Sequence, residues 1–381
     1  MFKEEPEISI ILPCLNEEES VGKCLNDIKE VIKKNNLNAE IIIVDNGSSD
    51  NSINEVRKNS NDIKGKLIRH EKRGYGSAYL KGIESAKGKY IFMADSDGSY
   101  DFYEIPKFIE GLRNRYDFVI GNRFKGDIER GSMPFLNRYI GNPILSGILK
   151  FFFNVNVHDS HCGMRAIRKD ALQKLNLSTT GMEFASEMVL KAGKRNLKIK
   201  ELPINYHKRK GRSKLRSFPD AWRHMRLMLI YSPLYLFFIP GLLIFLLGMF
   251  TMILLFFNIS IFGKIFQYQP MFISSILIIT GYQLIIFSLF AKTYAITHLK
   301  EKPILDKLYK YITIERASVL GIIIILSGFL LYITLLINWI SGNFDALTET
   351  RKSIIALTLI TLGIETIFSS FMLSILGMKE D

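Results

Sequence analysis

The 381-residue chain is 48% hydrophobic, has a formal charge of +13 and contains three cysteines. That length leaves room for two domains, and a basic balance points to anionic lipid, phosphorylated substrates or nucleic acid. Cys14, Cys24 and Cys162 show no metal-ligand spacing and leave an odd one over, which argues against a disulfide framework and reads as reduced thiols; no nucleic-acid-binding signature accompanies the charge.

The opening Met1-Phe2-Lys3-Glu4-Glu5-Pro6 lacks an apolar run behind a basic start, so no signal peptide is expected. Up to about residue 227, short apolar runs alternate with amphipathic stretches, the βαβα pattern of a parallel sheet covered by helices. Strands are predicted over 8–12, 40–44, 66–69, 90–94, 118–121 and 198–205. Helices are predicted over 20–34, 50–58, 77–86, 104–115, 142–153 and 183–194.

Four nearly uncharged segments follow, over 234–257, 270–291, 317–340 and 354–376. At ~1.5 Å per residue each is long enough for a ~30 Å hydrocarbon core. Basic residues crowd the stretch from His207 to Arg226 and the loop between the second and third spans, which carries Lys292, Lys300, Lys302, Lys307, Lys310 and Arg316. The other two loops offer only Lys264, Arg351 and Lys352, so the N-terminal domain, the middle loop and the C-terminus are expected in the cytoplasm. Glu365, inside the fourth span, is either functional or a neutralised packing group.

The polar residues cluster where the predicted strands end. Pro13-Cys14-Leu15-Asn16-Glu17 follows the first strand and Asp45-Asn46-Gly47-Ser48-Ser49-Asp50 the second. Arg73-Gly74-Tyr75-Gly76 lies beyond the third, Asp95-Ser96-Asp97 ends the fourth and Gly121-Asn122-Arg123 the fifth. In an open parallel sheet ligands bind outside the carboxyl ends of the strands, so these clusters describe one site. The dinucleotide glycine fingerprint and the Walker run are both missing. Gly74-x-Gly76 fits a phosphate loop or a tight strand-to-helix turn equally well. Asp95-x-Asp97, two carboxylates on one turn, suits Mg²⁺ or Mn²⁺, hard cations that bridge phosphates.

As an ordered set these motifs resemble the inverting glycosyltransferase family 2, more narrowly its dolichyl-phosphate mannose/glucose synthase branch. Further support comes from Asn137-Arg138, the stretch Asp159-Ser160-His161-Cys162-Gly163-Met164-Arg165, and Gly181-Met182-Glu183-Phe184. The resemblance covers about residues 7–240. It implies an α/β nucleotide-diphospho-sugar transferase fold, a GT-A-like, Rossmann-type parallel sheet, followed by a four-helix transmembrane domain. The expected division is a catalytic domain over 1–216, an interfacial amphipathic helix over 217–232 and a membrane domain over 233–381.

The resemblance also implies roles. Pro13, Leu15, Glu17, Asp45 and Arg73 would hold the nucleotide sugar together with Asp95, Ser96, Glu183, Arg209, Ser213 and Lys214. Asp97 would ligate the metal. Arg123 and Arg138 would grip a dolichyl or polyprenyl phosphate, with Asn142 where the branch often has serine. On the residues alone, Asp45 is also a helix-capping or Asx-turn aspartate. Asp159 either orients sugar or acceptor or caps the 162–165 turn. Glu183 and Glu187, one helical turn apart, either meet the donor sugar or a basic partner, or are simply solvated. The basic stretch 208–214 serves as topogenic charge, as a loop closing on the donor diphosphate, or as both.

The expected reaction is sugar transfer from a nucleotide sugar, with UDP-glucose ahead of UDP-N-acetylglucosamine and GDP-mannose, to a lipid phosphate at the membrane. The metal-dependent enzyme is expected to engage no nucleic acid, and a homo-oligomer is compatible with the sequence. Two alternatives remain, a polysaccharide synthase and a lipid translocase component with a regulatory nucleotide-sugar-binding domain. The Gln-x-x-Arg-Trp motif of processive synthases is absent.

Overall fold

The computed structural model describes residues 5–60, 65–211, 217–259, 266–297, 313–341 and 349–378. The chain divides into two compact units, Met1–Met228 and Leu229–Asp381.

The first unit is built on a seven-stranded sheet. Its strands are β1 (Ile8–Cys14), β2 (Ala39–Asp45), β3 (Gly65–Arg69), β4 (Tyr90–Met93), β5 (Phe118–Asn122), β6 (Arg165–Arg168) and β7 (Ile199–Pro203). They lie in the order β3-β2-β1-β4-β6-β5-β7. The Ile, Val and Phe runs of β1, β2, β4 and β5 are almost wholly buried, as expected for strands covered on both faces. Seven helices pair with the strands: α1 (Val21–Lys34), α2 (Ser52–Lys58), α3 (Tyr75–Ser85), α4 (Ile105–Arg113), α5 (Asn142–Phe153), α6 (Lys169–Leu175) and α7 (Phe184–Lys194). An eighth, α8 (Ser217–Ile230), follows.

Neighbouring strands are parallel except at β6, which runs antiparallel to both β4 and β5. Sequence periodicity gives no sign of β6 or of α6. Four residues, Arg-Ala-Ile-Arg, are too short to alternate, and a charged residue at the start argues against a buried strand. Arg165 is nonetheless buried, because its guanidinium donates to the carbonyls of Cys162, Ser160 and Ala185. Charge-assisted hydrogen bonds to three carbonyls offset the desolvation that would otherwise expel the group.

Strand order places the site. The chain leaves β1 toward β2 and β3 on one side, then crosses over to β4 on the other. Between β1 and β4 the connections diverge, and that crevice is where an open α/β sheet takes ligands. The segments after β1 and β4 are laced together: the Ser96 hydroxyl donates to the Pro13 carbonyl at 2.6 Å and the Ser20 hydroxyl to the Ser96 carbonyl at 2.8 Å.

The second unit holds α9 (Ile239–Phe256), preceded by a π turn over Leu234–Phe238, then α10 (Gln269–Thr297), α11 (Ile314–Ser341) and α12 (Thr350–Gly377). Leu234–Phe256 and the three later helices are each long and apolar enough to cross a membrane. They match the four predicted spans, with α10 running six residues further because Lys292-Thr-Tyr-Ala-Ile-Thr297 continues the helix.

Two helix pairs use the same packing device. A Cβ on Gly281 of α10 would fall 2.7 Å from the Gly241 carbonyl of α9; one on Gly363 of α12 would fall 2.6 Å from the Gly321 carbonyl of α11. Bare glycines therefore let each pair approach to backbone contact, the small-residue packing that drives association in lipid. Hydroxyls add cross-links between α10 and α12, where Ser275 meets Thr358 at 2.7 Å and Tyr282 meets Thr366 at 2.6 Å. Glu365 is half-buried, and one of its carboxylate oxygens has no hydrogen-bond partner among the described residues.

Candidate active site

The site lies at the carboxyl ends of the parallel strands. Asp45 ends β2 and is buried; its Oδ1 accepts from the Ser48 N–H at 3.1 Å, which caps the turn that follows the strand. Glu17 is also buried, anchored by its own N–H donating to Ser52 Oγ at 2.7 Å. Leu15 is half-buried, and Arg73 is exposed beyond Gly47. The Ser96 side chain points inward to Pro13, away from the site mouth.

The Gly74-x-Gly76 alternatives are decided by packing. Gly74 has φ +145°, and a Cβ there would sit 2.3 Å from the Thr180 carbonyl oxygen. The Gly76 and Ser77 amides, at the N-terminus of α3, donate to the carbonyls of Gly181 and Thr180. These donors are occupied by the 178–183 segment, so the glycines serve close backbone approach.

Asp95 and Asp97 have opposite surroundings. Asp95 Oδ1 accepts from Tyr75 Oη at 2.9 Å and Tyr79 Oη at 3.4 Å, and Tyr79 stacks on Phe184 of α7. Burial, reinforced by the negative charge of Asp97, pushes the Asp95 carboxyl up to about 6. Asp97 fixes one oxygen on Ser99, accepting from its N–H at 3.0 Å and its hydroxyl at 2.5 Å. Its other oxygen faces the Arg209 guanidinium at 3.5 Å, and the same guanidinium reaches Glu17 at 3.2 Å. Arg209 thus bridges the β1 and β4 ends of the crevice. Ser213 and Lys214 lie outside the described residues.

Arg123 and Asp159 form a bidentate, buried ion pair. The Arg123 side chain donates from Nε and Nη2 to the two Asp159 oxygens, each at 2.8 Å, and its backbone N–H adds a third bond at 2.9 Å. Both residues are buried, and the guanidinium lies 5.1 Å from the Tyr206 ring centroid. Neither reading of Asp159 from the sequence anticipated this ion pair, although the turn reading has some truth: its carbonyl accepts from the Cys162 N–H at 3.3 Å. Glu201 supports the arrangement by accepting the Asp159 N–H at 3.1 Å.

Arg138 sits on a π turn over Asn137–Gly141 that runs directly into α5, and its guanidinium lies over Tyr139. Among the described residues it has no acidic partner within 4.0 Å. Asn142 starts α5 one turn later, donating weakly to Met133 Sδ. The outward side of this helical segment is apolar, with Phe135, Tyr139, Ile140, Ile144 and Phe151 all exposed. Sequence reading took 142–153 for an ordinary helix, yet the run of large apolar residues on both faces was the available signal. On α8, Phe218 and Trp222 are exposed while Asp220 and His224 turn inward.

The two helix-7 glutamates part company. Glu183 keeps a buried carboxylate oxygen without a partner among the described residues. Glu187 is buried and accepts from the N–H and hydroxyl groups of Ser178 and Thr179, with Lys191 at 2.7 Å. Solvation is excluded for Glu187; it clamps the segment that packs on Gly74.

Comparison with known proteins agrees with this architecture. Residues 9–175 match the family model "Glycosyl transferase family 2", and residues 289–377 match "Glycosyltransferase family 2 C-terminal transmembrane region". The chain is 35% identical over 375 residues to the low-salt glycan biosynthesis hexosyltransferase Agl6 of Haloferax volcanii, spanning 98% of this chain and 89% of that protein. The chain belongs to glycosyltransferase family 2. This family 2 member is therefore a glycosyltransferase and a membrane protein. It is also 30% identical over 213 residues to a dolichyl-phosphate hexose transferase of the same organism, across 56% of this chain and 88% of that relative. A solved mycobacterial protein structure shares the fold at a TM-score of 0.50 and 15% identity, over 60% of this chain and 75% of that one.

Among the described residues no three His, Cys, Asp or Glu side chains converge on a common point. A Mg²⁺ or Mn²⁺ shared with substrate needs only one or two protein carboxylates beside phosphates and water. Asp97, whose second oxygen faces Arg209 at 3.5 Å, is a carboxylate of the kind such an ion takes.

Proposed function

We propose that this glycosyltransferase moves a hexose from a nucleotide sugar to a dolichyl or polyprenyl phosphate at the cytoplasmic face of the membrane. UDP-glucose is the lead donor. The reading rests above all on the Arg138–Asn142 segment, where a cation with no acidic partner within 4.0 Å among the described residues opens a helical segment whose outward face is apolar. That combination suits a phosphate at the head of a hydrocarbon chain. The full-length relation to a hexosyltransferase and the shorter one to a dolichyl-phosphate hexose transferase support the same class.

In this reading Glu17, Asp45 and Arg73 receive the nucleoside, and Asp95 and Glu183 the sugar. Pro13 and Leu15 line the nucleoside side, and Ser96 holds the β1 and β4 ends together. Arg209 would leave Asp97 for the donor diphosphate, which Ser213 and Lys214 would also bind. Asp97 would hold Mg²⁺ or Mn²⁺, which when bound offsets charge on the leaving diphosphate. Arg123, aimed by Asp159, and Arg138 with Asn142 hold the acceptor phosphate.

A phosphate monoester has its second pKa near ~6, so it reaches the site already anionic and needs no protein base. Its oxygen attacks the anomeric carbon, the bond to the diphosphate breaks, and the electron pair leaves with the nucleoside diphosphate. Attack from the opposite side turns an α-linked donor into a β-linked lipid phosphate sugar. The basic residues ahead of the first span and between the second and third spans support a cytoplasmic catalytic unit. The working division is 1–216 for catalysis, 217–232 for the interface and 233–381 for the membrane.

The test is a panel of labelled nucleotide sugars with dolichyl or undecaprenyl phosphate, with and without Mg²⁺ or Mn²⁺. Metal-dependent glycolipid that disappears in Asp97→Ala is expected. Undiminished product in that variant overturns the site. No product with any donor, together with lipid scrambling in liposomes, would instead favour a translocase.

A further inference from the structure

Behind the Arg123–Asp159 pair runs a continuous chain of hydrogen-bonded side chains. Ser146 of α5 meets Ser160 Oγ at 2.9 Å, and Ser160 Oγ meets His161 Nδ1 at 3.0 Å. His161 Nε2 lies 3.0 Å from Ser186 Oγ of α7, which lies 2.8 Å from His224 Nδ1 of α8. The two imidazoles meet edge to face with centroids 4.5 Å apart. Ser146, Ser160, Ser186 and His224 are all buried.

The chain has one physical peculiarity. A serine hydroxyl carries a single proton and a neutral imidazole a single N–H. Ser186 can therefore satisfy both histidines only by accepting from one and donating to the other, and Ser160 faces the same constraint. Every link must pass its proton in the same direction, so each bond polarises the next and the chain forms or breaks as a unit. Burial keeps both rings neutral, as this requires: it depresses His161 well below the usual imidazole range and takes His224 down to about 4.

The ends of the chain matter. His224 lies on the helix that leads into the first span, and Ser146 lies on the helix with the exposed apolar face. Between them, Ser160 and His161 directly follow Asp159, whose carboxylate sets the Arg123 guanidinium. We propose that His224, Ser186 and His161 are positioning residues that tie the membrane-proximal helices to the Asp159–Arg123 pair, so that acceptor phosphate and guanidinium meet in register. The proposal rests on the lipid-phosphate reading above. The side-chain hydrogen bonds of the three residues run among themselves and to Ser160, so their effect is assigned to acceptor transfer.

The experiment compares His224→Phe, which keeps an aromatic ring but loses Nδ1, with His224→Asn, whose amide stands near the Nδ1 position. Purified full-length enzyme is assayed for transfer to dolichyl phosphate, for slow hydrolysis of the same donor by water, and for UDP binding. For His224→Phe, kcat for lipid transfer is expected to fall about tenfold or more, the scale of a modest misplacement. UDP affinity and donor hydrolysis should stay within about twofold, and His224→Asn should recover most of the loss. Ser186→Ala, a smaller change, should repeat the split if the phenylalanine variant does not fold. Wild-type lipid transfer in both His224→Phe and Ser186→Ala overturns the proposal. So does a parallel loss of UDP binding and hydrolysis, which marks a general structural role. No lipid product from the unaltered enzyme overturns the acceptor reading and this proposal together, a result distinct from a defect confined to the variants.

Discussion

Asp159 holds Arg123 by the Nε–Nη2 edge of its guanidinium and by the backbone N–H, in a buried pair formed by residues 36 apart in sequence. The geometry makes Asp159 a structural anchor as well as a proposed site residue. Asp159→Ala should leave a buried unpaired guanidinium and cost about 3–5 kcal/mol. Denaturant unfolding of the detergent-solubilised protein measures this, alongside the loss of glycolipid formation. Unchanged stability would mean that Arg123 finds another partner.

Asp97 is different, because its carboxylate has one oxygen on Ser99 and one toward the crevice. Asp97→Asn should keep the fold, with the melting temperature nearly unchanged. Metal-stimulated transfer should drop on the order of 100-fold, the scale for removing one electrostatic contact to a developing charge. Mn²⁺ binding in the presence of UDP, followed by electron paramagnetic resonance, should weaken in parallel.

His224 and Glu187 give the stability a defined pH dependence. Burial lowers His224 to about 4, with Arg165 adding to the effect and Asp220 opposing it. The unfolded chain then binds the extra proton between the ordinary histidine value and about 4, so stability is full above that window and is lost as pH falls through it. For Glu187, burial alone would raise the pKa, but Lys191 and the Thr179 hydrogen bonds outweigh it and hold the carboxyl below its usual range. Its contribution is present above the ordinary glutamate value and disappears as pH falls further, through the folded-state value. Asp95 works the other way, since its carboxyl, raised to about 6, gains stability for the fold as pH falls toward the ordinary aspartate value. The test is therefore the difference between variants: in urea unfolding from pH 7 to 4, His224→Phe should lose less stability than the unaltered protein.

In the membrane unit, Gly363→Leu forces a side chain against the Gly321 carbonyl and Ile325. Overpacking of this kind costs about 1–3 kcal/mol and should separate α11 from α12. Gly377, with nothing within 4 Å of a built Cβ, is the control position. Thermal aggregation in detergent should distinguish Gly363→Leu from Gly377→Ala; equal behaviour would argue against close helix packing as the source of stability.

The exposed face of the helical segment 137–153 supplies the last prediction. Replacing Tyr139, Ile144 and Phe151 by serine should raise the KM for a long-chain lipid phosphate by about tenfold or more, since each buried apolar side chain contributes up to ~1.5–3 kcal/mol. Donor hydrolysis should be unaffected. A short-chain, water-soluble phosphate acceptor should lose much less, because it has little hydrocarbon to place on that face.

The amino-acid sequence by itself determined the features that depend on local pattern. The spans declare themselves through the length of their apolar runs, whatever their partners. The principal parallel strands follow from buried runs bounded by turns, and the polar clusters at their ends mark the crevice. Tertiary structure alone decided the rest, because contacts between distant segments leave no local period. It inserted the four-residue β6 by satisfying Arg165 on three carbonyls, and it gave Gly74 to a loop a hundred residues away rather than to phosphate. It turned Ser96 inward, buried Glu187 as a clamp and joined His161 to His224 through Ser186. In each case the side chain's role was set by which donor or acceptor the fold brought within about 3 Å, and a buried polar group must take the partner it is given.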